Sequence, residues 1–286
     1  MGAFLENKEL ARLRGLVEAA LAERLPSGGP GALCAAMRAA VMPGGKRLRP
    51  LLTLAVAEML GHRAEEALDA ACAVEMAHAA SLILDDLPCM DDAGERRGLP
   101  PVHRAYGEAT ALLAAVSLLA EAFHLTARNA ETAGRPEAAP AAVARLRGAL
   151  GVGGLCGGQY LDLHAGEAGP ETAEHLLRIH REKSGALFVA AAVLPAVLFG
   201  GPEDVCGRLE RYAESLGLAF QISDDIIDAA HPTDEDGGSS LAGLDGNRAA
   251  EERARLVAAA KDFLAPWGDA ARPLLGMADY VGSRSS

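Results

Sequence analysis

The apolar residues of this chain recur every three or four positions, which is the spacing of one face of an α-helix. Leu10, Leu13, Val17 and Leu21 form one such stripe, and similar stripes follow along most of the sequence. No segment shows the alternation of apolar and polar residues, rich in β-branched side chains, that is typical of strands. The pattern therefore predicts an all-α protein.

Short breaks rich in glycine and proline separate the predicted helices, among them "PSGGPG" (26–31), "AGERRGLPP" (93–101) and "HPTDEDGGSS" (231–240). Their lengths are typical of helix–helix connections, and neither a domain linker nor a fixed-period repeat is recognisable. We therefore expect residues 1–286 to form a single domain. The segments 70–84, 110–130 and 184–199 are apolar on all sides, which predicts that they lie at the centre of a large bundle.

Composition narrows the classes of function. Half of the 286 residues are hydrophobic, and the net charge of −12 disfavours binding to nucleic acid or to an anionic membrane. The longest apolar run, "GALFVAAAVLPAVLFGG", is too short to span a bilayer, so we expect no membrane insertion. The N-terminal segment does not resemble a signal peptide, and five scattered cysteines without a CxxC pair suit a reducing cytoplasm. We expect most of these thiols to be buried.

The stretch "LILDDLPCMDDAGERRG" (82–98) holds four aspartates, Asp85, Asp86, Asp91 and Asp92. Acidic runs are usually solvated surfaces. Here the preceding residues are apolar enough to be buried, and negative charge at a helix C-terminus opposes the helix dipole. The stretch is therefore a candidate site, with Pro88 expected to end the helix.

A second acidic cluster, "FQISDDIIDAA", contains Asp224, Asp225 and Asp228 in another apolar helix. Asp224 and Asp228 are four residues apart and share a helix face. Two apolar helices that each present carboxylates, without a histidine or cysteine ligand set, indicate hard divalent cations such as Mg²⁺. Because Mg²⁺ completes its coordination with water and substrate phosphate, a diphosphate ligand is predicted between the clusters.

Basic residues accompany the aspartates. "PGGKRLRP" places Lys46, Arg47 and Arg49 after a glycine pair at a predicted helix start, which favours anion binding. Arg96 and Arg97 follow the first cluster, and guanidinium groups suit bidentate phosphate contacts. Each motif alone has an ordinary interpretation as a basic turn or surface.

Three polar positions within apolar surroundings are further candidates. His78 lies two helical turns before Asp85 and therefore on the same face, which favours a substrate contact over a core histidine. Gln159 and Asp162 in "GGQYLDL" could cap or bridge helices, but we assign them to the site. Lys183 in "REKSGALF" would, taken alone, be a surface lysine.

The motifs "GGKRLRP", "EMAHAASLILDDLPCMDDAGERRGLPPVHRAYGEA", "GGQYLDL", "REKSGALF" and "FQISDDIID" occur in this order between about residues 30 and 230. This ordered set resembles the trans-isoprenyl diphosphate synthases, which include bacterial farnesyl and geranylgeranyl diphosphate synthases. The resemblance implies an isoprenoid synthase type fold, a single helical bundle with a central cavity, and a homodimer.

The resemblance also implies residue roles. Mg²⁺ would be held by Asp85, Asp86, Asp91, Asp224, Asp225 and Asp228. Arg96, Lys183 and Gln221 would hold the allylic diphosphate, and Lys46, Arg49, His78 and Arg97 would hold isopentenyl diphosphate. The implied catalytic group is Asp85, Asp86, Asp91, Arg96, Lys183 and Asp224. Ser184 stands where the family usually has threonine and keeps the substrate-binding hydroxyl.

The implied reaction is a short-chain prenyl transfer. Metals and cations stabilise a leaving diphosphate, the isopentenyl double bond attacks the allylic cation, and the lost proton goes to the departing diphosphate. Ala80 and Ser81 would form the floor that sets product length. Farnesyl-type bacterial enzymes tend to have an aromatic residue at the position of Ala80, so the small residue favours geranylgeranyl (C20) over farnesyl (C15) diphosphate.

The sequence departs from the family after the second aspartate motif. Members normally carry two lysines there, whereas this chain has no lysine between Lys183 and Lys261. Arg248 is a poor substitute, and Val116 replaces a common acidic residue.

A catalytically impaired partner or regulatory subunit is therefore an alternative, although the two intact aspartate motifs argue against it. A terpene cyclase would need a mixed Asn/Ser/Glu second motif, and a calcium-binding or purely structural helical protein would not explain the basic residues.

Overall fold

The computed structural model describes residues 8–164, 172–230 and 246–284, and these residues form helices, turns and one isolated bridge between Arg96 and Leu99. The prediction of an all-α fold is confirmed. The α-helices are α1 (Lys8–Arg24), α2 (Gly31–Val41), α3 (Leu48–Met59), α4 (Leu68–Asp85), α5 (Val102–Tyr106), α6 (Glu108–Thr132), α7 (Ala139–Leu150), α8 (Leu155–Leu163), α9 (Ala173–Ile179), α10 (Ala186–Leu198), α11 (Glu203–Ala230), α12 (Gly246–Phe263) and α13 (Arg272–Ser283).

Two helices form the centre of the bundle. Helix α4 packs lengthwise against α6 and also contacts α3, while α10 contacts α3, α4, α7 and α11. Both central helices are almost entirely buried because alanine, leucine and valine occupy every side of them. Helix α10 continues through Pro195, and α12 and α13 cover α11 from the outside. Nearly all buried apolar residues of the described chain form one connected cluster, from Leu10 to Val281, and only Leu176 and Ile179 of α9 lie outside it.

Helix α6 differs from the prediction that it lies at the centre. Its first half leaves Leu112, Leu113 and Val116 exposed, at 46%, 59% and 63%. An apolar composition on all sides fits both a core helix and a helix with an uncovered face, so the sequence pattern could not distinguish them.

By length and hydropathy, Ala64–Asp85 and Glu108–Thr132 could each cross a membrane. Of the most apolar stretch of each segment, 78% is buried inside the protein in the first and 39% in the second.

The cysteines only partly follow the expectation of burial. Cys72 and Cys206 are buried, Cys34 is half-buried, and Cys89 and Cys156 are exposed. All five are free thiols.

Candidate active site

The C-terminal end of α4 opens onto a cavity of about 640 Å³. Helix α4 ends at Asp85, and a tight turn follows in which the amide of Asp91 donates to the carbonyl of Asp85 at 3.0 Å. Pro88 lies in this turn, as the sequence predicts. The polar lining comes from Lys46, Arg47, Arg49, Glu75, His78, Ser81, Asp85, Arg96, Arg97, Lys183, Ser184, Gln221 and Asp224, and the apolar lining includes Leu82, Leu155, Leu187 and Phe220.

Asp85 is the carboxylate of the first motif that faces the cavity. Burial, reinforced by the nearby charge of Asp91, raises the pKa of Asp85 to about 6, and Lys183 opposes the shift. Asp91 itself is exposed at the rim. The turn that joins their backbones therefore places two carboxylates close enough to repel each other.

Asp86 does not line the cavity, in contrast to the ligand role expected for it. It is 3% exposed and accepts hydrogen bonds from Nε and Nη2 of Arg96, the first at 2.9 Å. Asp86 caps α4 and follows Asp85 by about 100° around the helix axis, which turns its side chain away from that of Asp85. Arg96 still reaches the cavity, so the pair anchors this arginine at its edge.

The second aspartate motif also contains one carboxylate that faces the cavity and a neighbouring one that does not. Asp224 of α11 faces the cavity, whereas Asp225 is buried and lies 3.7 Å from Nε2 of His180 and 3.5 Å from Nε2 of Gln221. Asp228 is exposed one turn further along α11. Asp225 follows Asp224 by one residue, which is about 100° around the helix axis. Its side chain therefore lies behind the cavity wall.

Ser184 and Gln221, which the resemblance assigns separately to substrate binding, contact each other. The hydroxyl of Ser184 donates to Oε1 of Gln221 at 2.8 Å. Ser184 belongs to a π-helical turn, His180–Gly185, between α9 and α10. Such turns change which side a helix residue faces, and they often occur at functional sites.

The cationic wall of the cavity centres on Arg49. Its Nη1 lies 3.5 Å from Nε2 of His78, and its guanidinium carbon lies 4.4 Å from the ring centre of Phe188. Burial lowers the pKa of Arg49 to about 10, and burial together with Arg49 lowers the pKa of His78 well below its usual value. His78 is therefore neutral at physiological pH and remains able to donate or accept a hydrogen bond.

Lys46 and Arg284 approach the same aromatic ring. The Nζ of Lys46 lies 5.8 Å from the ring centre of Phe220, and the guanidinium carbon of Arg284 lies 4.4 Å from it. Nη2 of Arg284 also donates to Oδ1 of Asp224 at 2.6 Å. Burial raises the pKa of Asp224, and Arg284 opposes this shift.

The glycine pair before α3 makes room for two arginines. A Cβ on Gly44 would lie 2.5 Å from the Arg47 guanidinium, and one on Gly45 would lie 3.1 Å from that of Arg97. Both arginines adopt positive φ angles, 52° and 57°, which non-glycine residues rarely do. Backbone strain of this kind clusters at functional sites because surrounding contacts enforce it.

Arg47 is held by a buried carboxylate that the sequence analysis did not single out. Its Nη1 donates to Glu75 at 2.5 Å and its Nε donates to Glu18 at 2.9 Å. Arg47 is therefore a support for the cationic wall. Glu75 lies one turn before His78 on α4, and that spacing was the signal available in the sequence.

Lys183 and Asp162 form an ion pair at 2.5 Å, across the contact between α8 and the π-helical turn. A Cβ on Gly158 would lie 2.1 Å from the backbone nitrogen of Lys183, so only glycine permits this approach. Asp162 thus contributes by pairing with Lys183. Gln159 is buried outside the cavity lining, and neither the nitrogen nor the oxygen of its amide group has a hydrogen-bond partner among the described residues.

Of the two residues predicted to form the floor of the cavity, only Ser81 lines it. Ser81 also donates to the carbonyl of His78 at 2.9 Å, whereas Ala80 is completely buried and is not part of the lining.

Residues 231–245, which contain most of the segment that departs from the family, lie outside the described residues. Arg248 is exposed and does not line the cavity.

The donor set fits a hard divalent cation. Asp85 and Asp224, from two helices, face one cavity with raised pKa values, and a cation there would favour their charged forms. Within the described residues, no three Asp, Glu, His or Cys side chains form a preformed cage. Mg²⁺ suits this arrangement because it takes few protein carboxylates and completes its shell with water and phosphate.

Comparisons with known proteins agree with this geometry. The sequence model of a family described as polyprenyl synthetase matches residues 30–242. "Geranylgeranyl pyrophosphate synthase 11, chloroplastic" of Arabidopsis thaliana is 42% identical, over 99% of this chain and 83% of that protein. An FPP/GFPP synthase from Zymomonas mobilis superposes with a TM-score of 0.88 at 34% identity, over 96% of this chain and 97% of the other. A geranylgeranyl pyrophosphate synthetase from the archaeon Geoglobus acetivorans gives 0.86 at 30% identity, over 99% and 100%.

Proposed function

We propose that this chain, which belongs to the polyprenyl synthetase family, is a short-chain trans-prenyltransferase that condenses isopentenyl diphosphate with an allylic diphosphate. The observation that carries the proposal is one cavity lined by the carboxylates Asp85 and Asp224 and by the cations Lys46, Arg49 and Arg97. Two anionic substrates can meet there only if both diphosphates are neutralised, and these carboxylates, through bound cations, and the basic side chains supply the groups to do so.

Asp85 and Asp224, with Asp91 and Asp228 at the rim, are the residues that would hold Mg²⁺. When bound, Mg²⁺ would neutralise the diphosphate that leaves the allylic substrate. Arg96 and Lys183 line the cavity near Asp85 and would donate to the same leaving group. Asp86 and Asp225 act through partners, since Asp86 anchors Arg96 and Asp225 holds Gln221 and His180 in place.

The other basic residues of the cavity would bind isopentenyl diphosphate. Lys46, Arg49 and Arg97 bring positive charge, and neutral His78 adds a hydrogen bond without a further desolvated charge. The isopentenyl double bond then attacks the allylic cation, and the released proton goes to the departing diphosphate. Leu82, Leu187 and Phe220 line the same cavity, and their apolar surface would keep water from the cation.

For the product we propose geranylgeranyl diphosphate, with farnesyl diphosphate as the alternative. Ser81 lines the cavity with a small side chain and its buried neighbour Ala80 is also small, so α4 leaves room for a growing chain before Asp85. The printed names of similar proteins include geranylgeranyl as well as FPP/GFPP synthases, so the family alone does not decide the length. Incubation of the purified protein with isopentenyl and farnesyl diphosphate tests this, and a C20 product is expected.

The alternative of a catalytically impaired partner subunit rests on the lysine-free segment between Lys183 and Lys261. Both aspartate motifs nevertheless place a carboxylate in the cavity, which a subunit without catalytic activity would not need. Turnover by the purified chain alone decides between the two functions, because an impaired subunit gives product only when a second chain is added.

We also propose that the protein is a cytoplasmic homodimer. The exposed apolar face of α6, formed by Leu112, Leu113 and Val116, is the surface expected to meet the same face of a second copy. Light scattering after size exclusion tests this. Leu113→Glu should give a monomer and Leu163→Glu, at another exposed apolar position, should leave the dimer intact.

A further inference from the structure

We propose that His180, at the start of the π-helical turn, is a positioning residue for the diphosphate of the allylic substrate. It holds Asp225, and Asp225 in turn keeps the side-chain amide of Gln221 in one orientation, with an N–H group ready for the diphosphate. His180 is buried and is not part of the cavity lining, so it acts through these partners. The inference rests on the proposed function and deepens the account of the same site.

Four side chains form a closed ring between the π-helical turn and α11. The hydroxyl of Ser184 donates to Oε1 of Gln221 at 2.8 Å, and Nε2 of Gln221 lies 3.5 Å from Oδ1 of Asp225. The other carboxylate oxygen, Oδ2 of Asp225, lies 3.7 Å from Nε2 of His180. His180 and Ser184 belong to one turn, and Gln221 and Asp225 are one helical turn apart on α11, so the backbones close the ring.

Asp225 determines the orientation of the Gln221 amide. A carboxylate only accepts hydrogen bonds, so the NH₂ group of Gln221 faces Asp225 and its carbonyl oxygen faces the hydroxyl of Ser184. The amide nitrogen carries two hydrogens, of which one serves Asp225. The second is available to a ligand in the cavity, which Gln221 lines. A rotated amide would place its oxygen against the carboxylate and would move this N–H group away.

His180 is suited to hold Asp225. Because the carboxylate accepts, the ring nitrogen that faces it, Nε2, carries a hydrogen, and in the neutral ring Nδ1 is then an acceptor. Nδ1 of His180 is buried and has no hydrogen-bond partner among the described residues. Such an atom costs stability, so an apolar side chain would suit this position better if packing were its only role. The contact with Asp225 therefore accounts for the histidine.

The distances fit a site that awaits its ligand. The 3.7 Å between His180 and Asp225 is longer than a hydrogen bond. Contacts of this kind at catalytic sites are often long in the free enzyme and shorten in the substrate complex. Both side chains are less than 9% exposed, so their attraction is only weakly screened by salt.

The first test is the steady-state kinetics of His180→Phe, which keeps a flat ring but cannot donate to Asp225. The KM for geranyl diphosphate should rise roughly three- to tenfold, while the KM for isopentenyl diphosphate stays within about twofold. His180→Gln should recover most of the loss, because its amide can place an N–H near the position of Nε2. An equal rise in both KM values, or a His180→Gln variant as impaired as His180→Phe, overturns the inference.

Arg181→Gln is the matched control for these variants. Arg181 is the next residue of the same turn, but it is exposed and does not line the cavity. Both KM values should therefore stay at the wild-type level. A rise in the KM for geranyl diphosphate equal to that of His180→Phe would show that any change in the turn has this effect, and would overturn the specific role of His180.

A double-mutant cycle separates positioning from a purely structural role. Gln221→Ala should raise the KM for geranyl diphosphate by roughly tenfold or more, because it removes the amide itself. Adding His180→Phe to Gln221→Ala should change this KM by less than about twofold, because His180 acts through an amide that is no longer present. If the two effects multiply in full, His180 acts independently of Gln221 and the inference is overturned.

Binding of inorganic pyrophosphate provides the same comparison without turnover. Calorimetric titration in the presence of Mg²⁺ should show roughly three- to tenfold weaker binding in His180→Phe than in the wild type, and no further loss when the change is added to Gln221→Ala. If the wild-type protein makes no product, the proposed function fails, and the titration still decides the role of His180. Equal affinity in the wild type and folded His180→Phe overturns it.

His180→Asn takes the place of His180→Phe if the phenylalanine variant does not fold. The asparagine side chain leaves space instead of filling it, and it is too short to reach Asp225. The same rise in the KM for geranyl diphosphate and the same weaker binding of pyrophosphate are expected, and wild-type values in folded His180→Asn overturn the inference.

Discussion

Nη1 of Arg47 donates to Oε1 of Glu75 at 2.5 Å, between side chains that are only 1% and 4% exposed. The pair lies behind the cationic wall, and the charge of Glu75 also favours the charged forms of Arg49 and Arg97. Glu75 therefore allows several guanidinium groups to be crowded together in the absence of a diphosphate.

Replacing this carboxylate should affect both stability and binding. Glu75→Gln leaves Arg47 with one carboxylate fewer, and loss of one partner of a buried ion pair costs about 3–5 kcal/mol. The KM for isopentenyl diphosphate should rise as well. Denaturant unfolding and kinetics measure the two effects, with Glu66→Gln, at the solvent-exposed Arg63–Glu66 pair, as the control expected to change stability little. Equal losses in the two variants would contradict the role of Glu75.

Gly158 is predicted to be intolerant of any side chain. The Cβ of Gly158→Ala would lie 2.1 Å from the backbone of Lys183, so α8 or the π-helical turn must move and Lys183 with it. We expect kcat to fall at least about tenfold, since small displacements of positioned groups are costly. Gly148→Ala is the matched control because nothing lies within 4 Å of its Cβ, and it should keep full activity. Full activity of Gly158→Ala would show that Lys183 does not need this packing.

Product length should depend on Ala80 and Ser81, the residues of α4 that precede Asp85 by about one turn. Ser81→Phe places a large ring in the cavity lining and should shift the product from C20 towards C15. Ala80→Phe should act in the same direction, with an overpacking cost of about 1–3 kcal/mol because Ala80 is fully buried. Ser81→Ala is the control and should leave the product unchanged. Chromatography of the dephosphorylated products measures the result, and an unaltered C20 product in both phenylalanine variants would refute the floor.

The raised pKa of Asp85 predicts how metal-free stability depends on pH. Its folded pKa is about 6, above the unfolded value, so the folded state binds the extra proton and gains stability as the pH falls through about 6. Above that pH the buried charge destabilises the fold, on the order of 1–3 kcal/mol. His78 acts in the opposite direction, because its pKa is lowered on folding.

Comparison with Asp85→Asn separates the two groups, since His78 is present in both proteins. The variant should be more stable than the wild type at about pH 7.5, and the difference should shrink towards about pH 5.5. Unfolding midpoints without metal give this difference. A difference that does not vary with pH would mean that Asp85 is not desolvated.

Periodicity was enough to identify the helices and the polar residues that share a helix face, as with His78 and Asp85 or Asp224 and Asp228. It could not show which of two adjacent carboxylates faces a cavity. Asp86 and Asp225 carry the same chemistry as their neighbours, but a step of about 100° around the helix gives them buried partners on another side. The resemblance gave all six aspartates as metal ligands, with Asp86 and Asp225 in the lesser role, and the structure gives these two buried partners outside the cavity lining.

Other site residues were beyond sequence reasoning because their partners are distant in the chain. Arg284 follows Asp224 by 60 positions and meets it only because α13 returns across α11. The exposure of one apolar face of α6 was not predicted for a different reason. The sequence of an apolar helix is the same whether its faces are covered by the same chain or left exposed. The roles of Ala80 and of the segment after Asp228 stay predictions.

The most direct measurement is product analysis of the purified protein with isopentenyl diphosphate and each allylic primer, with Mg²⁺ and with EDTA. We predict a C20 product that forms with Mg²⁺ and disappears with EDTA. A C15 product would confirm prenyltransferase activity but refute the prediction that the small residue Ala80 allows a C20 product. Folded protein that yields no product from any primer would contradict the proposed activity.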